Sequence, residues 1–167
     1  MRWAAKEGGE VGARIVVVDD HEIVRGGIRK LFSESRPEWE ICGEATSGED
    51  AIEAVRSLKP DVVILDISMP KMSGLDAASK IAKLGLNCRV LLFTMYESMR
   101  LAAEAKQVGA HGYVLKSQAA RHLLLAIDRL LAGGTFFGGP DTEPEKGKSP
   151  SSGGFLIFLR ELECQAG

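Results

Sequence analysis

Two kinds of hydrophobic pattern alternate along residues 14–137. The first is a short run of Val, Ile and Leu without polar alternation, which is typical of a strand buried on both faces of a parallel sheet. Three runs are strong and two are weaker, and we expect the weaker ones to lie nearer the edges of the sheet. The strong runs cover residues 15–18, 62–65 and 90–93, and the weaker ones cover residues 39–45 and 112–115.

After each of these runs, apolar residues recur every three or four positions. Val24, Ile28 and Leu31 follow the first run in this way, which is the spacing of an amphipathic helix. Strand and helix therefore alternate five times, and this order predicts an α/β fold with right-handed crossovers. We expect a doubly wound, five-stranded parallel sheet of order 2-1-3-4-5, in which strands one and three are neighbours.

The remaining parts of the chain have no such pattern. Residues 1–13 contain three glycines and no periodicity, and we interpret them as a flexible leader. Residues 138–154 contain eleven Gly, Pro or Ser among 17 positions, which predicts a flexible linker. Residues 155–167 begin apolar and then become charged.

Composition narrows the class of protein. The chain is 45% hydrophobic and has a net charge of −2, which is typical of a globular domain with no overall attraction to nucleic acid or membranes. Its longest apolar runs are four or five residues, whereas a spanning helix needs about 20. The three scattered cysteines favour a reducing compartment. We therefore expect a cytoplasmic protein with no membrane segment.

Four of the five predicted strands end in a reactive side chain. Asp19 and Asp20 follow the first run, Asp66 the third, Thr94 the fourth and Lys116 the fifth. Because the strands are parallel, all five side chains are expected at one edge of the sheet. Crowded carboxylates repel one another, at a cost on the order of 4 kcal/mol for a pair ~4 Å apart. A divalent metal and the Lys116 ammonium would offset that repulsion.

This set of side chains suits phosphoryl transfer to a carboxylate. Oxygen ligands favour Mg²⁺ over zinc, and a carboxylate beside Mg²⁺, a lysine and a hydroxyl can accept a phosphoryl group as an aspartyl phosphate. Asp19 or Asp20 is also placed to cap the helix that starts near Glu22. His21 is expected to be structural or solvated, close enough to the acidic site to contact it.

Four segments resemble the receiver domain of two-component response regulators, and the resemblance covers residues 14–137. It implies the flavodoxin-like receiver fold and a phosphorylation-activated switch without enzymatic activity of its own. The phosphoryl donor would be a histidine kinase. The matching segments are residues 15–21, residues 65–70 with Gly74 behind them, residues 92–94 and residues 112–116.

The same resemblance implies a role for each site residue. Asp66 would be the phosphoacceptor and Lys116 would bridge to the phosphoryl group. Thr94 and Tyr113 would form the switch pair. Asp20 and Asp66 would bind Mg²⁺ directly, together with the backbone carbonyl of Ser68. Asp19 would act on Mg²⁺ through water.

A narrower likeness concerns the output of the switch. Residues 19–25, 109–116 and 133–137 resemble receivers that precede LuxR-type helix-turn-helix domains, which regulate transcription. Residues 159–167 resemble the opening of such a DNA-binding domain, so residues 155–167 would be its truncated start. DNA would then be bound only through a domain missing from this chain, and a homodimer is possible in this family.

Two other functions fit parts of the pattern. A stand-alone receiver or phosphorelay module would share the site but have no DNA-binding output. The second alternative is an aspartyl-phosphate phosphatase of the haloacid dehalogenase type, a class whose first strand ends in an Asp-x-Asp motif. Here Asp19 and Asp20 are adjacent, and Asp66 is followed two residues later by Ser68. We therefore favour the transcriptional receiver.

Overall fold

The computed structural model describes residues 12–98 and 100–137. The leader through residue 11, the linker at 138–154 and the tail at 155–167 lie outside the described residues. The described part is a parallel sheet with helices between consecutive strands. The strands are β1 (Arg14–Val18), β2 (Glu40–Ala45), β3 (Val62–Asp66), β4 (Arg89–Thr94), β5 (Gly112–Leu115) and β6 (Phe136–Phe137).

Helices cover both faces of the sheet, as the unbroken apolar runs require. Ile15 and Val17 of β1 belong to the core under the first and last helices, whereas Val16 and Val18 belong to the core on the opposite face. The helices are α1 (Glu22–Ser35), α2 (Gly48–Leu58), α3 (Gly74–Lys83), α4 (Leu101–Gln107) and α5 (Ala119–Leu131), with a 3₁₀ turn at Lys116–Gln118 before α5. No helix in residues 12–98 and 100–137 has the length and apolar character to cross a membrane.

The strand order is β2-β1-β3-β4-β5-β6, which confirms the expected order 2-1-3-4-5 and adds a sixth strand. The prediction of five strands is therefore short by one. Strand β6 pairs with β5 through Gly112 opposite Phe136 and Tyr113 opposite Phe137. A Cβ on Gly112 would lie 2.3 Å from the Phe136 carbonyl oxygen, so the close approach of β6 requires glycine there.

The two weaker runs have different places in the sheet. Strand β2 lies at one edge, as expected, whereas β5 is covered by β6. The start of α1 also differs from the expectation that an aspartate caps it. The N-cap residue is His21, with no side-chain cap, and Asp19 Oδ1 accepts from the His21 backbone N–H at 2.9 Å instead.

Candidate functional site

Strand register gathers the predicted residues at one edge of the sheet. Val18 pairs with Leu65, so the next residues, Asp19 and Asp66, follow neighbouring positions of β1 and β3. Thr94 ends β4 opposite Leu115, directly before Lys116. These four predicted residues, Asp19, Asp66, Thr94 and Lys116, are the buried polar or charged residues of the described chain, each no more than 3% exposed.

Lys116 reaches from the end of β5 to the carboxylates at the ends of β1 and β3. Its Nζ lies 2.6 Å from Asp19 Oδ2 and 3.3 Å from Asp66 Oδ1, so the ammonium joins the ends of β1 and β3. On the way it passes the Phe93 ring, with Nζ 5.7 Å from the ring centroid. The ammonium thus compensates two carboxylates that burial would otherwise leave facing each other.

The loop after β3 holds Asp66 in place. Asp66 Oδ1 accepts a hydrogen bond from the Ser68 backbone N–H at 3.2 Å, and the Gly74 N–H closes the loop onto the Ile67 carbonyl at 2.9 Å. A Cβ on Gly74 would lie 2.0 Å from the Asp66 carbonyl oxygen, so the loop can close only over a glycine. Helix α3 begins at this residue, and its N-cap Ser73 accepts from the Asp76 N–H.

Burial changes the acidity of Asp66. It raises the pKa of this carboxyl to about 6, from an ordinary 3.8. Lys116 opposes the rise, whereas the nearby Asp19 carboxylate adds to it. Asp66 therefore resists ionisation in the metal-free protein and gains from any cation that enters the site.

A test of this electrostatic balance is Asp66→Asn. Above pH 6 the ionised Asp66 costs stability, because its pKa in the folded state is higher than in the unfolded chain. Without metal at pH 8, Asp66→Asn should raise the free energy of unfolding by up to about 3 kcal/mol. The gain should shrink between pH 6 and 4, where the wild-type carboxyl becomes neutral in both states.

Urea unfolding in chelator across this pH range measures the effect. Asp50→Asn is the matched control, because Asp50 is exposed in the first turn of α2. It should show no stabilisation at pH 8. An Asp66→Asn variant that is less stable than wild type at pH 8 would contradict the balance described here.

The acidic cluster fits a divalent metal. Ligand atoms of Asp19, Asp20, His21 and Asp66 all lie within 4.8 Å of one another. Three carboxylates against the ammonium of Lys116 leave an excess of negative charge, which a divalent cation would balance. Asp20 is exposed, whereas Asp19 and Asp66 are buried, so the cluster opens to solvent on the Asp20 side. Ser68 is also exposed, beside Asp66.

The predicted switch residues lie on β4 and β5. Thr94 Oγ1 accepts from the Tyr96 backbone N–H at 3.2 Å, so its own hydroxyl hydrogen remains available for another acceptor. Tyr113 pairs with Leu92 across the two strands and is only 7% exposed. Its ring also contacts Phe137 of β6, with centroids 6.5 Å apart.

The structure adds detail to two of the predictions. Lys116 is expected both to offset the carboxylate repulsion and to bridge to a phosphoryl group, and its shortest contact here is to Asp19. His21 is expected near the acidic site, and its ring nitrogen lies among the carboxylates. The adjacency of His21 to two strand-end aspartates was the available signal.

The model of the response regulator receiver domain matches residues 15–128. The chain belongs to the response regulator receiver family. The match begins in β1 and ends in α5, so it includes every strand end that contributes to the site.

Several relatives of this receiver are LuxR-family regulators. Response regulator UvrY of Escherichia coli K12 is 35% identical over 159 residues, which cover 90% of this chain and 70% of UvrY. A two-component response regulator of the LuxR family from Aurantimonas has a TM-score of 0.70 and 34% identity. That match covers 90% of this chain and 99% of the other. This chain is accordingly a receiver of the LuxR-family type.

A third similarity concerns a receiver studied with a phosphoryl mimic. The isolated REC domain of RcsB from Salmonella enterica serovar Typhimurium, solved in the presence of phosphomimetic BeF3−, has a TM-score of 0.69 and 25% identity. The match covers 76% of this chain and 94% of that domain.

Proposed function

We propose that this receiver accepts a phosphoryl group on Asp66 from a histidine kinase, with Mg²⁺ in the acidic cluster. The observation that carries the proposal is the buried Asp66 carboxylate, which shares the Lys116 ammonium with Asp19. Burying two carboxylates and a lysine costs desolvation free energy that their mutual attraction only partly offsets, so these groups are poor choices for stability alone. A site that handles phosphoryl charge explains why they are kept.

In the transfer, an Asp66 carboxylate oxygen forms a bond to phosphorus. The bond between phosphorus and the donor atom breaks, and the donor leaves with its electron pair. Lys116 lies 3.3 Å from Asp66 Oδ1, so its ammonium is placed to neutralise charge on the transferred group. The Thr94 hydroxyl, at the end of the adjacent strand, is placed to donate to a phosphoryl oxygen.

Asp20 and Asp66 would hold the metal directly, with the Ser68 carbonyl, and Asp19 would act through water. When bound, Mg²⁺ neutralises charge on the phosphoryl oxygens. The donor set fits, because it is dominated by oxygen and carries excess negative charge. The two carboxylates must lie close enough together to share a cation. The ion pairs of Lys116 with Asp19 and Asp66 hold them in this way before any metal binds.

The signal would pass through Thr94 and Tyr113. A hydroxyl drawn toward the phosphoryl group moves the end of β4, and Tyr113 on β5 is paired with Leu92 of the same strand. Repacking of Tyr113 would alter the surface formed by α4, β5 and α5. That surface, or one that includes α1 and α5, would control a homodimer.

The output we propose is regulation of transcription through a LuxR-type DNA-binding domain that follows the linker. The UvrY match supports this, because it covers more of the chain than the described residues span. In this proposal residues 155–167 are the start of that domain. The receiver itself would be a cytoplasmic, non-enzymatic signalling module.

The test is phosphorylation by acetyl phosphate, followed by intact-protein mass spectrometry. In Mg²⁺ the wild-type chain should gain one phosphoryl group, as the acetyl phosphate O–P bond breaks and acetate leaves. Chelator should prevent the gain, and Asp66→Asn should show none. Asp50→Asn, on the exposed first turn of α2, should be labelled like wild type. Equal labelling of Asp66→Asn and wild type would refute the proposal.

A further inference from the structure

Arg25 connects helix α1 to the backbone of the acidic site. Its Nη1 donates to the Asp19 carbonyl oxygen at 2.6 Å, and its Nε donates to Glu44 Oε2 of strand β2 at 2.8 Å. Glu22 accepts from the third nitrogen, Nη2. The Arg25 side chain is only 12% exposed, so the guanidinium is largely withdrawn from solvent.

We propose that Arg25 is a positioning residue for the metal site. Its guanidinium fixes the peptide group between Asp19 and Asp20, which holds Asp20 ready to bind Mg²⁺ before the ion arrives. In this role Arg25 touches neither the ion nor the phosphoryl group. The inference rests on the proposed function in requiring that the acidic cluster binds Mg²⁺.

The backbone of Asp19 is held on both sides. Its N–H donates to the Ala45 carbonyl oxygen of β2 at 3.1 Å, whereas its carbonyl oxygen accepts from Arg25. That carbonyl lies in the peptide plane that carries the Asp20 N–H, so its direction sets the backbone from which the Asp20 side chain projects. The pairing of β1 with its neighbours ends at Val18. Arg25 therefore supplies a restraint that the sheet no longer gives to Asp20.

The two anchors of Asp19 are neighbours on β2. Glu44 holds Asp19 through Arg25, and Ala45, the next residue, holds it directly. The planar guanidinium of Arg25 has donors in fixed directions, so it can bind the Glu44 carboxylate and the Asp19 carbonyl at once. The end of β1, the start of α1 and the end of β2 are thereby joined around Asp19.

This restraint has a predictable effect on metal binding. A ligand with a mobile backbone loses conformational entropy when it binds, and loss of the groups that orient metal ligands typically weakens metal binding ten- to hundredfold. Arg25 also carries a positive charge near the cluster, and that charge alone disfavours Mg²⁺. Positioning and charge therefore predict opposite changes in affinity when a neutral residue replaces Arg25.

Arg29 provides a matched control for the charge. Its Nη1 donates to Glu44 Oε1 and its Nη2 to Glu22 Oε1, each at 2.5 Å. Arg29 thus shares both carboxylate partners of Arg25 but not the bond to the Asp19 carbonyl. Replacing it removes the same charge from the same group of ion pairs and leaves the Asp19 peptide held.

Mg²⁺ titration of the full chain, followed by NMR of the nitrogen-15 amides, measures the dissociation constant. In Arg25→Gln this constant should rise about tenfold. Arg29→Gln should bind Mg²⁺ as tightly as wild type or slightly more tightly. Arg25→Lys keeps the charge and can still donate one bond to the Asp19 carbonyl, so its affinity should fall between those of wild type and Arg25→Gln.

A second readout needs no metal. The Asp20 amide shares its peptide group with the Asp19 carbonyl, so loss of the Arg25 bond should lower the NMR order parameter of that amide. The order parameter should stay unchanged in Arg29→Gln. A loss of global stability alone would change neither this value nor the affinity of the folded protein for Mg²⁺.

Two outcomes would overturn the inference and leave the proposed function standing. The first is Mg²⁺ binding by Arg25→Gln that equals or exceeds that of wild type. The second is an equal loss of affinity in Arg29→Gln, since the effect would then belong to the ion pairs as a group. Failure of the proposed function has a different signature. In that case the wild-type chain would bind no Mg²⁺, or bind it equally well in Asp20→Asn, and the inference would fall with it.

Discussion

Lys116→Met should destabilise the metal-free protein by about 3–5 kcal/mol, the cost of leaving buried charges without their partner. The Lys116 side chain is 4% exposed, and its Nζ is shared by Asp19 and Asp66, which are 1% and 2% exposed. Methionine fills similar space but offers no charge, so the two carboxylates would face each other in a poorly solvated site. Denaturant unfolding in chelator at pH 7.5 measures the loss.

Two further readouts separate charge from packing in this variant. Saturating Mg²⁺ should recover part of the lost stability, because the cation takes over compensation of the carboxylates. Phosphoryl uptake from acetyl phosphate should still fall at least tenfold, because the ammonium that faces the transferred group is gone.

Lys30→Met is the control for loss of a lysine. Lys30 forms an exposed pair with Glu34 at 4.0 Å, in which both side chains are about 60% exposed. Such pairs contribute little, so the change should stay within about 0.5 kcal/mol. The account of Lys116 would be wrong if Lys116→Met, like the control, unfolded at the same denaturant concentration as wild type.

Gly74→Ala should have the second large effect, about 3 kcal/mol of destabilisation. The added Cβ would lie 2.0 Å from the Asp66 carbonyl oxygen and 2.7 Å from Ile67 Cα. Both are backbone atoms, so the clash is relieved only if the loop after β3 moves. Because that loop positions Asp66, we also expect slower phosphoryl uptake. Thermal or urea unfolding and the acetyl phosphate assay give the two measurements.

Gly26→Ala shows what the same added methyl does where there is room. Gly26 lies within α1, and its added Cβ would meet only the flexible end of Arg29, at 3.5 Å. Alanine should stabilise the helix there by about 0.5–1 kcal/mol. If Gly74→Ala is also neutral or stabilising, the closed loop described for Asp66 is incorrect.

Much of the site can be predicted from the sequence, because its residues lie at the ends of strands. Strands buried on both faces are contiguous apolar runs, so the residues that follow them can be located from hydrophobicity alone. Parallel pairing then places them on one edge, and the structure confirms this for Asp19, Asp66 and Thr94. The same argument explains why Lys116 could be expected near the carboxylates.

Other features depend on properties that a pattern of residue types does not carry. Strand β6 has two residues, too few for any periodicity, and it depends on the missing side chain of Gly112. The preference of Lys116 for Asp19 over Asp66 depends on the path of a long side chain past Phe93. The contact of His21 with both aspartates depends on the rotamer of a half-exposed ring.

The central claim is that Asp66 carries the phosphoryl group, and its most direct test locates the modified residue. After reaction with acetyl phosphate and Mg²⁺, borohydride reduces an aspartyl phosphate to homoserine, which tandem mass spectrometry assigns to a position. We predict homoserine at position 66 in the wild-type chain and unmodified aspartates at 19 and 20. Homoserine at position 19 or 20, with Asp66 intact, would contradict the account.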